Sequence, residues 1–170
     1  MIVRGPLTGQ RALCEPILRA LPEWFGIEEA TQAYAEQTDV LPTFVAICDD
    51  RPVGFLTLRL HSAYAAEISV MGVVRSEQRR GAGRALIAAA ETYLRGAGVG
   101  FLQVKTLSST HPDPYYARTR EFYFAMGFRP LEEFPELWGA ANPCLQMVKS
   151  LYPHGVGTER SQIRSLSRST

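Results

Sequence analysis

The sequence predicts an α/β or α+β domain with a mixed sheet flanked by helices. Three observations carry that prediction. A helical apolar period near the N-terminus gives way to strands after residue 42. The first two strands are joined by a short turn, which makes them a hairpin. From residue 65 onward, strands alternate with helices.

The elements follow in order. From Thr8 to Leu21, residues Leu13, Ile17, Leu18 and Leu21 share one helical face; Pro16 is a weak point, because an interior proline removes a backbone donor. Pro22 to Gly26 breaks the pattern, and a second helix is expected from Ile27 to Gln37, rich in Glu, Ala and Gln. Thr43 to Cys48 and Val53 to Leu60 read as strands around a turn at Asp49, Asp50, Arg51 and Pro52. Ala65 to Val74 is a third strand, long and apolar, with Glu67 as its one charge. A polar loop then leads to a helix striped by Ala82, Leu86, Ala89, Ala90, Tyr93 and Leu94 and ended by Gly96 and Gly98. Val99 to Leu107 reads as a strand. A helix from about Tyr115 to Met126 follows, with Gly127 as its C-terminal cap, then strands from Phe128 to Glu133 and Cys144 to Leu151. The expected order is therefore α-α-β-β-β-α-β-α-β-β. Residues 1–152 read as one domain and 153–170 as a flexible C-terminal tail dominated by Gly, Ser, Thr and Arg, with Arg160, Arg164 and Arg168 every fourth residue.

Bulk properties exclude several functions. The chain has 170 residues, ample for a packed core, and a net charge of +1, which argues against a general nucleic-acid or membrane-surface binder. Cys14, Cys48 and Cys144 are odd in number and far apart, and read as small core residues in a reducing cytoplasm. His61, His111 and His154 lack ligand spacing, so no metal is expected. The N-terminus lacks the apolar core of a signal peptide, and no apolar run approaches the roughly 20 residues of a membrane helix.

The most informative segment runs from Val70 to Leu86, where a strand passes through a glycine-containing loop into a helix. The first turn of a helix carries free N–H groups and a partial positive charge, and glycines let a pyrophosphate approach. Arg79, Arg80 and Arg84 add formal charge, so the segment reads as a site for a phosphorylated cofactor. A Rossmann fingerprint fails because Leu86 stands where its third glycine is needed, and the Gly-Lys-Ser/Thr of a Walker loop is absent.

Gln78-Arg79-Arg80-Gly81-Ala82-Gly83 instead resembles motif A of the GNAT N-acetyltransferases, and the preceding strand Ala66 to Val73 is similar to that family's fourth strand. Phe122-Tyr123-Phe124-Ala125-Met126-Gly127-Phe128 resembles the family's second signature, an aromatic-Tyr pair on a helix followed by Gly-Phe. The likeness spans roughly residues 43 to 151. It implies the GNAT fold, with a mixed, mostly antiparallel central sheet, and an acyltransferase moving an acetyl group from acetyl-CoA to an amine without a covalent enzyme intermediate.

The resemblance also implies roles. The backbone of Met71, Gly72 and Val73 would hold the pantetheine arm, with Gly72 at a bulge and the Val73 N–H facing the thioester oxygen. The amides from Arg79 through Arg80, Gly81, Ala82 and Gly83 to Arg84 would hold the pyrophosphate; the arginine side chains reach phosphates or point to solvent. Glu67 is the candidate base for the amine proton, the bland reading being a carboxylate paired with an arginine or exposed on a sheet face. Strand alternation places Glu67, Ser69 and Met71 on one face. Tyr123 stands where the family places its general acid; because a phenol is less acidic than a thiol, hydrogen bonding to the leaving thiolate is the better role. Many relatives carry Asn six residues and Ala three residues before the tyrosine, where this chain has Ala117 and Arg120. Thr119 or Arg120 is the expected replacement contact.

The acceptor is a primary amine of a small molecule or peptide, with Trp24, Phe25, Glu28, Glu29, Tyr34, Trp138 and Asn142 as candidate cleft residues. A longer acyl-CoA and a non-catalytic CoA-binding module are the alternatives. The last strands offer edges for a homodimer.

Overall fold

The computed structural model describes residues 1–152; the tail and its arginine series lie outside the described residues. Strands β1 (Ile2–Leu7), β2 (Thr43–Cys48), β3 (Arg51–Leu60), β4 (Ala65–Val73), β5 (Phe101–Leu107), β6 (Arg129–Phe134) and β7 (Cys144–Ser150) form one sheet in the order β1-β2-β3-β4-β5-β7-β6. Only β4 and β5 are parallel; every other neighbouring pair is antiparallel. Helices α1 (Arg11–Arg19) and α2 (Glu28–Val40) cover one face, and α3 (Ala82–Gly96) and α4 (Pro114–Ala125) cover the other.

The two cores show why these sequences fold so. Cys14, Ile17, Leu18 and Leu21 from the first helical segment meet Val45, Phe55 and Val70 from one sheet face. Phe44, Ala46, Leu56 and Leu58, one residue out of phase along the same strands, meet Leu86, Ile87, Ala90 and Leu94 of α3 on the other. The β2–β3 turn runs through Asp49 and Asp50 with φ of 49° and 59°, the left-handed pair that a tight hairpin requires. Pro16 is accommodated inside α1.

Strand β1 is the element that sequence patterning misses. It is almost wholly exposed at the sheet edge, so it carries no apolar alternation, and its pairing with β2 is irregular between Arg4 and Leu7. Two cysteines are buried as expected, whereas Cys48 is only half-buried. Among the described residues no helix is long and apolar enough to cross a membrane.

Candidate active site

The site begins where two parallel strands part. β4 pairs with β5 only from Ala65 to Ile68, opposite Phe101 to Val104, although both strands continue beyond. Past Ile68 the β5-side edge of β4 has no strand partner. A cleft of about 410 Å³ opens at the parting and is lined by Glu67 to Met71 of β4, Val104 to Thr106 of β5, and Tyr123 of α4.

A bulge sits at this point. Thr57 pairs with Val70 but Leu58 pairs with Ile68, leaving Ser69 as the extra residue. The bulge is thus at Ser69 and not at Gly72. It also corrects the alternation expected for β4. Ser69 donates to Gln37 Oε1 of α2, Val70 joins the α1-side core, and Met71 turns to the α3 side. Glu67, Ser69 and Met71 therefore do not share a face.

Backbone phase follows from one bond. The N–H of Val74 donates to the Val53 carbonyl at 2.9 Å, so Val74 and Gly72 address β3. Met71 and Val73 then direct their N–H and C=O groups to the open edge, and the Val73 carbonyl accepts from Gln78 Nε2 at 3.0 Å. Gly72, expected on the cofactor arm, serves packing: a Cβ there would lie 3.3 Å from Leu21 and 3.4 Å from Ile17.

The loop after β4 is built to leave amides free. Arg75–Glu77 form one 3-10 turn, Gln78 ties the loop back to β4, and Arg79 and Gly81 adopt φ of 62° and 95°. The first loop amides are used internally, Arg80 N–H donating to the Glu77 carbonyl at 3.4 Å. Those of Arg79, Gly81, Ala82, Gly83 and Arg84 meet no acceptor among the described residues. Of the arginine side chains, Arg80 pairs with Glu77 at 3.3 Å. Gly83 is needed for space, since a Cβ would lie 2.9 Å from the Phe122 ring. The anion-binding chemistry expected of this segment is therefore available on its backbone.

Tyr123 is set by the end of α4. Asp113 caps the start, its carboxylate accepting from Tyr115 N–H at 2.8 Å and Tyr116 N–H at 2.9 Å, with Pro114 at the first helical position. At the other end Gly127 has φ of 90°, Phe128 N–H donates to the Tyr123 carbonyl at 3.0 Å, and Gly127 N–H donates to that of Phe124 at 3.0 Å. This is a Schellman motif, and its hydrophobic contact is the edge-on packing of Tyr123 on Phe128, 5.4 Å between centroids. The Tyr-to-Gly-Phe spacing is thus a helix stop that also fixes a phenol. Tyr123 is 6% exposed, its hydroxyl has no partner among the described residues, and burial pushes its pKa well above the ordinary phenol value.

Glu67 is a half-buried node. Its oxygens accept from Lys105 Nζ, both at 3.0 Å, and Oε2 meets His61 Nε2 at 2.6 Å. The pairing foreseen with an arginine is made by a lysine and a histidine. Gln103 and Lys105 alternate on β5, so strand periodicity placed them on one face; that β5 lies beside β4 was the missing fact.

Of the acceptor candidates, Trp24, Phe25, Tyr34 and Trp138 line the cleft. Glu28, Glu29 and Asn142 do not, and Arg19 binds the Glu28 carboxylate at 2.9 and 3.0 Å. Thr119 lines the cleft and accepts from Trp24 Nε1 at 3.0 Å, whereas Arg120 is turned to the Leu107 carbonyl at 2.7 Å.

Comparisons with known proteins match this fold. The family model described as the acetyltransferase (GNAT) family matches residues 12–128. A GNAT-family protein from Desulfovibrio desulfuricans superposes with a TM-score of 0.78 at 19% identity, over 89% of this chain and 99% of that one. An aminoglycoside 6'-N-acetyltransferase solved with coenzyme A gives 0.70 at 18% identity, over 90% and 98%. The ribosomal-protein-S18-alanine N-acetyltransferase from Escherichia coli gives 0.70 at 16%, over 93% and 98%. A search of curated protein sequences finds no match.

Proposed function

Because this chain belongs to the GNAT acetyltransferase family, we propose that it moves an acetyl group from acetyl-CoA to a primary amine of a small molecule or peptide, by direct attack in a ternary complex. The carrying observation is the parting of β4 from β5, which brings an unpaired strand edge, a buried phenol and a carboxylate to one cleft. The residues present fit the cosubstrate. The free amides of Arg79, Gly81, Ala82, Gly83 and Arg84 suit a pyrophosphate, and the open N–H and C=O of Met71 with the N–H of Val73 suit the amide-bearing arm. Acetyl-CoA supplies an acyl carbon activated as a thioester.

The chain's own groups then handle protons. The attacking amine must be neutral, and Glu67, in the cleft wall, accepts its proton. His61, bonded to that carboxylate and 39% exposed, links it to solvent. Lys105 orients Glu67 and balances its charge. Tyr123 keeps its proton because burial disfavours the phenolate, and it donates a hydrogen bond to the departing sulfur.

The test is thiol release from acetyl-CoA across amino acids, polyamines, aminoglycosides, arylalkylamines and short peptides, alongside calorimetry of acetyl-CoA binding. Release with one amine class supports the reading. Binding without release from any amine would leave a CoA-binding module, and no binding would remove the cofactor assignment.

A further inference from the structure

We infer that the acceptor is a monoamine carried on an aromatic body, and that polycationic amines are disfavoured. This rests on the acetyltransferase reading above and narrows its substrate class. Aromatic side chains from four parts of the fold converge on the cleft. Trp24 and Phe25 follow α1, Tyr34 stands on α2, Tyr116 on α4, and Trp138 on the β6–β7 connection. Polar atoms of two of these are used inside the protein: Trp24 Nε1 donates to Thr119 Oγ1 at 3.0 Å, and the Tyr116 hydroxyl donates to the Trp24 carbonyl at 3.2 Å. Edge-on contacts hold the rings, Trp24 on Tyr115 at 5.2 Å and Phe25 on Tyr34 at 5.9 Å between centroids. Trp138 is 41% exposed, an indole surface available to a ligand.

Charge points the same way. Among the described residues, the charged ones lining the cleft are Glu67 and Lys105, which neutralise each other at 3.0 Å. The acidic residues that would have made the site attractive to polycations are absent from the lining, and Glu28 is bound by Arg19. A polyamine or aminoglycoside would bring several ammonium groups into a space with no free carboxylate, where an unpaired charge is poorly solvated. An arylalkylamine brings one. The aromatic faces can hold that single cation until it loses its proton, while its ring buries apolar area against them.

The experiment is calorimetry of phenethylamine, tryptamine, spermidine and an aminoglycoside on the full chain, with and without acetyl-CoA, followed by thiol release with the same amines. Arylalkylamines are expected to bind and turn over on the order of tenfold better than the polycations. Trp138→Ala, at an exposed loop position, should weaken phenethylamine by roughly tenfold. Lys105→Met, which unmasks the Glu67 carboxylate, should strengthen spermidine by about the same factor. Preference for a polycation, equal binding of both classes, silence toward every amine, or no effect of either variant would overturn the inference. Thiol release that is faster with a polycation than with the arylalkylamines would do so while leaving the enzyme reading intact. Retained arylalkylamine preference without acetyl-CoA binding would support it while removing the cofactor reading.

Discussion

Gly81 and Gly83 look equivalent in sequence, yet the structure requires them for different reasons, and a pair of substitutions separates those reasons. At Gly81 a Cβ would meet nothing within 4 Å, but φ is 95°. Gly81→Ala therefore carries only backbone strain, about 1–3 kcal/mol, whatever its neighbours are. At Gly83 a Cβ would lie 2.9 Å from Phe122 Cζ and 3.2 Å from Met71 Cε. Overpacking of that kind costs about 1–3 kcal/mol, against up to about 1 kcal/mol gained from the helix propensity of alanine. Gly83→Ala alone should therefore be neutral to destabilising by about 3 kcal/mol. In a Phe122→Leu background the clash is relieved and the same change should become stabilising by up to about 1 kcal/mol. Gly81→Ala should keep its cost in both backgrounds within about 0.5 kcal/mol. Urea denaturation of the six proteins measures all of this, with calorimetry of acetyl-CoA reporting whether the loop still binds. Equal coupling of both glycines to Phe122, or none at Gly83, would refute the division of roles.

Four further outcomes are expected. Tyr123→Phe breaks no hydrogen bond to a described residue and keeps the ring contacts, so the urea midpoint should hold while turnover falls about ten- to a thousand-fold; unchanged turnover removes Tyr123 from the mechanism. Glu67→Gln should lower kcat/KM about 10²- to 10⁴-fold, whereas full activity would make the Glu67–Lys105 pair purely structural. Gln78→Ala frees the Val73 carbonyl and should weaken acetyl-CoA about two- to tenfold, through loss of a bond worth about 0.5–1.5 kcal/mol; unaltered affinity would show that the tie is dispensable. Burial raises Tyr116 and Cys14 to about 12 and Cys144 to about 11, from ordinary values of 10.0 and 9.0, so the folded chain keeps protons that the unfolded chain loses. That stability is complete below about pH 9 and is lost as pH rises toward 12, so the urea midpoint should be lower at pH 10.5 than at pH 8, and an equal or higher one would contradict the burial.

Local chemistry was legible in the sequence, and adjacency was not. The loop from Gln78 to Gly83 and the stop at Gly127 announce themselves because each depends on residues within a few positions of one another. The Lys105 partner of Glu67 was hidden, because it needs two strands 38 residues apart to be neighbours. β1 was hidden because an exposed edge strand has no buried face to advertise. The face of Met71 was misread because a single unpaired residue breaks the period of two on which such readings rest. Glu28, Glu29 and Asn142 were plausible by composition, but they are not among the residues that line the cleft.

The unpaired Ser69 acts as a phase shifter between two parts of one strand. Upstream of it, β4 presents Glu67 to the α2 side and Ile68 to the α3 core; downstream, odd and even positions exchange sides. The stretch that carries the carboxylate and the stretch that leads into the glycine loop can therefore vary in side chain without constraining each other's facing. Removing that one residue would do more than shorten the strand. Every side chain from Val70 to Val73 would have to cross the sheet, or the hairpin to β3 would have to slip, so the acceptor wall and the loop anchor would fall out of phase together.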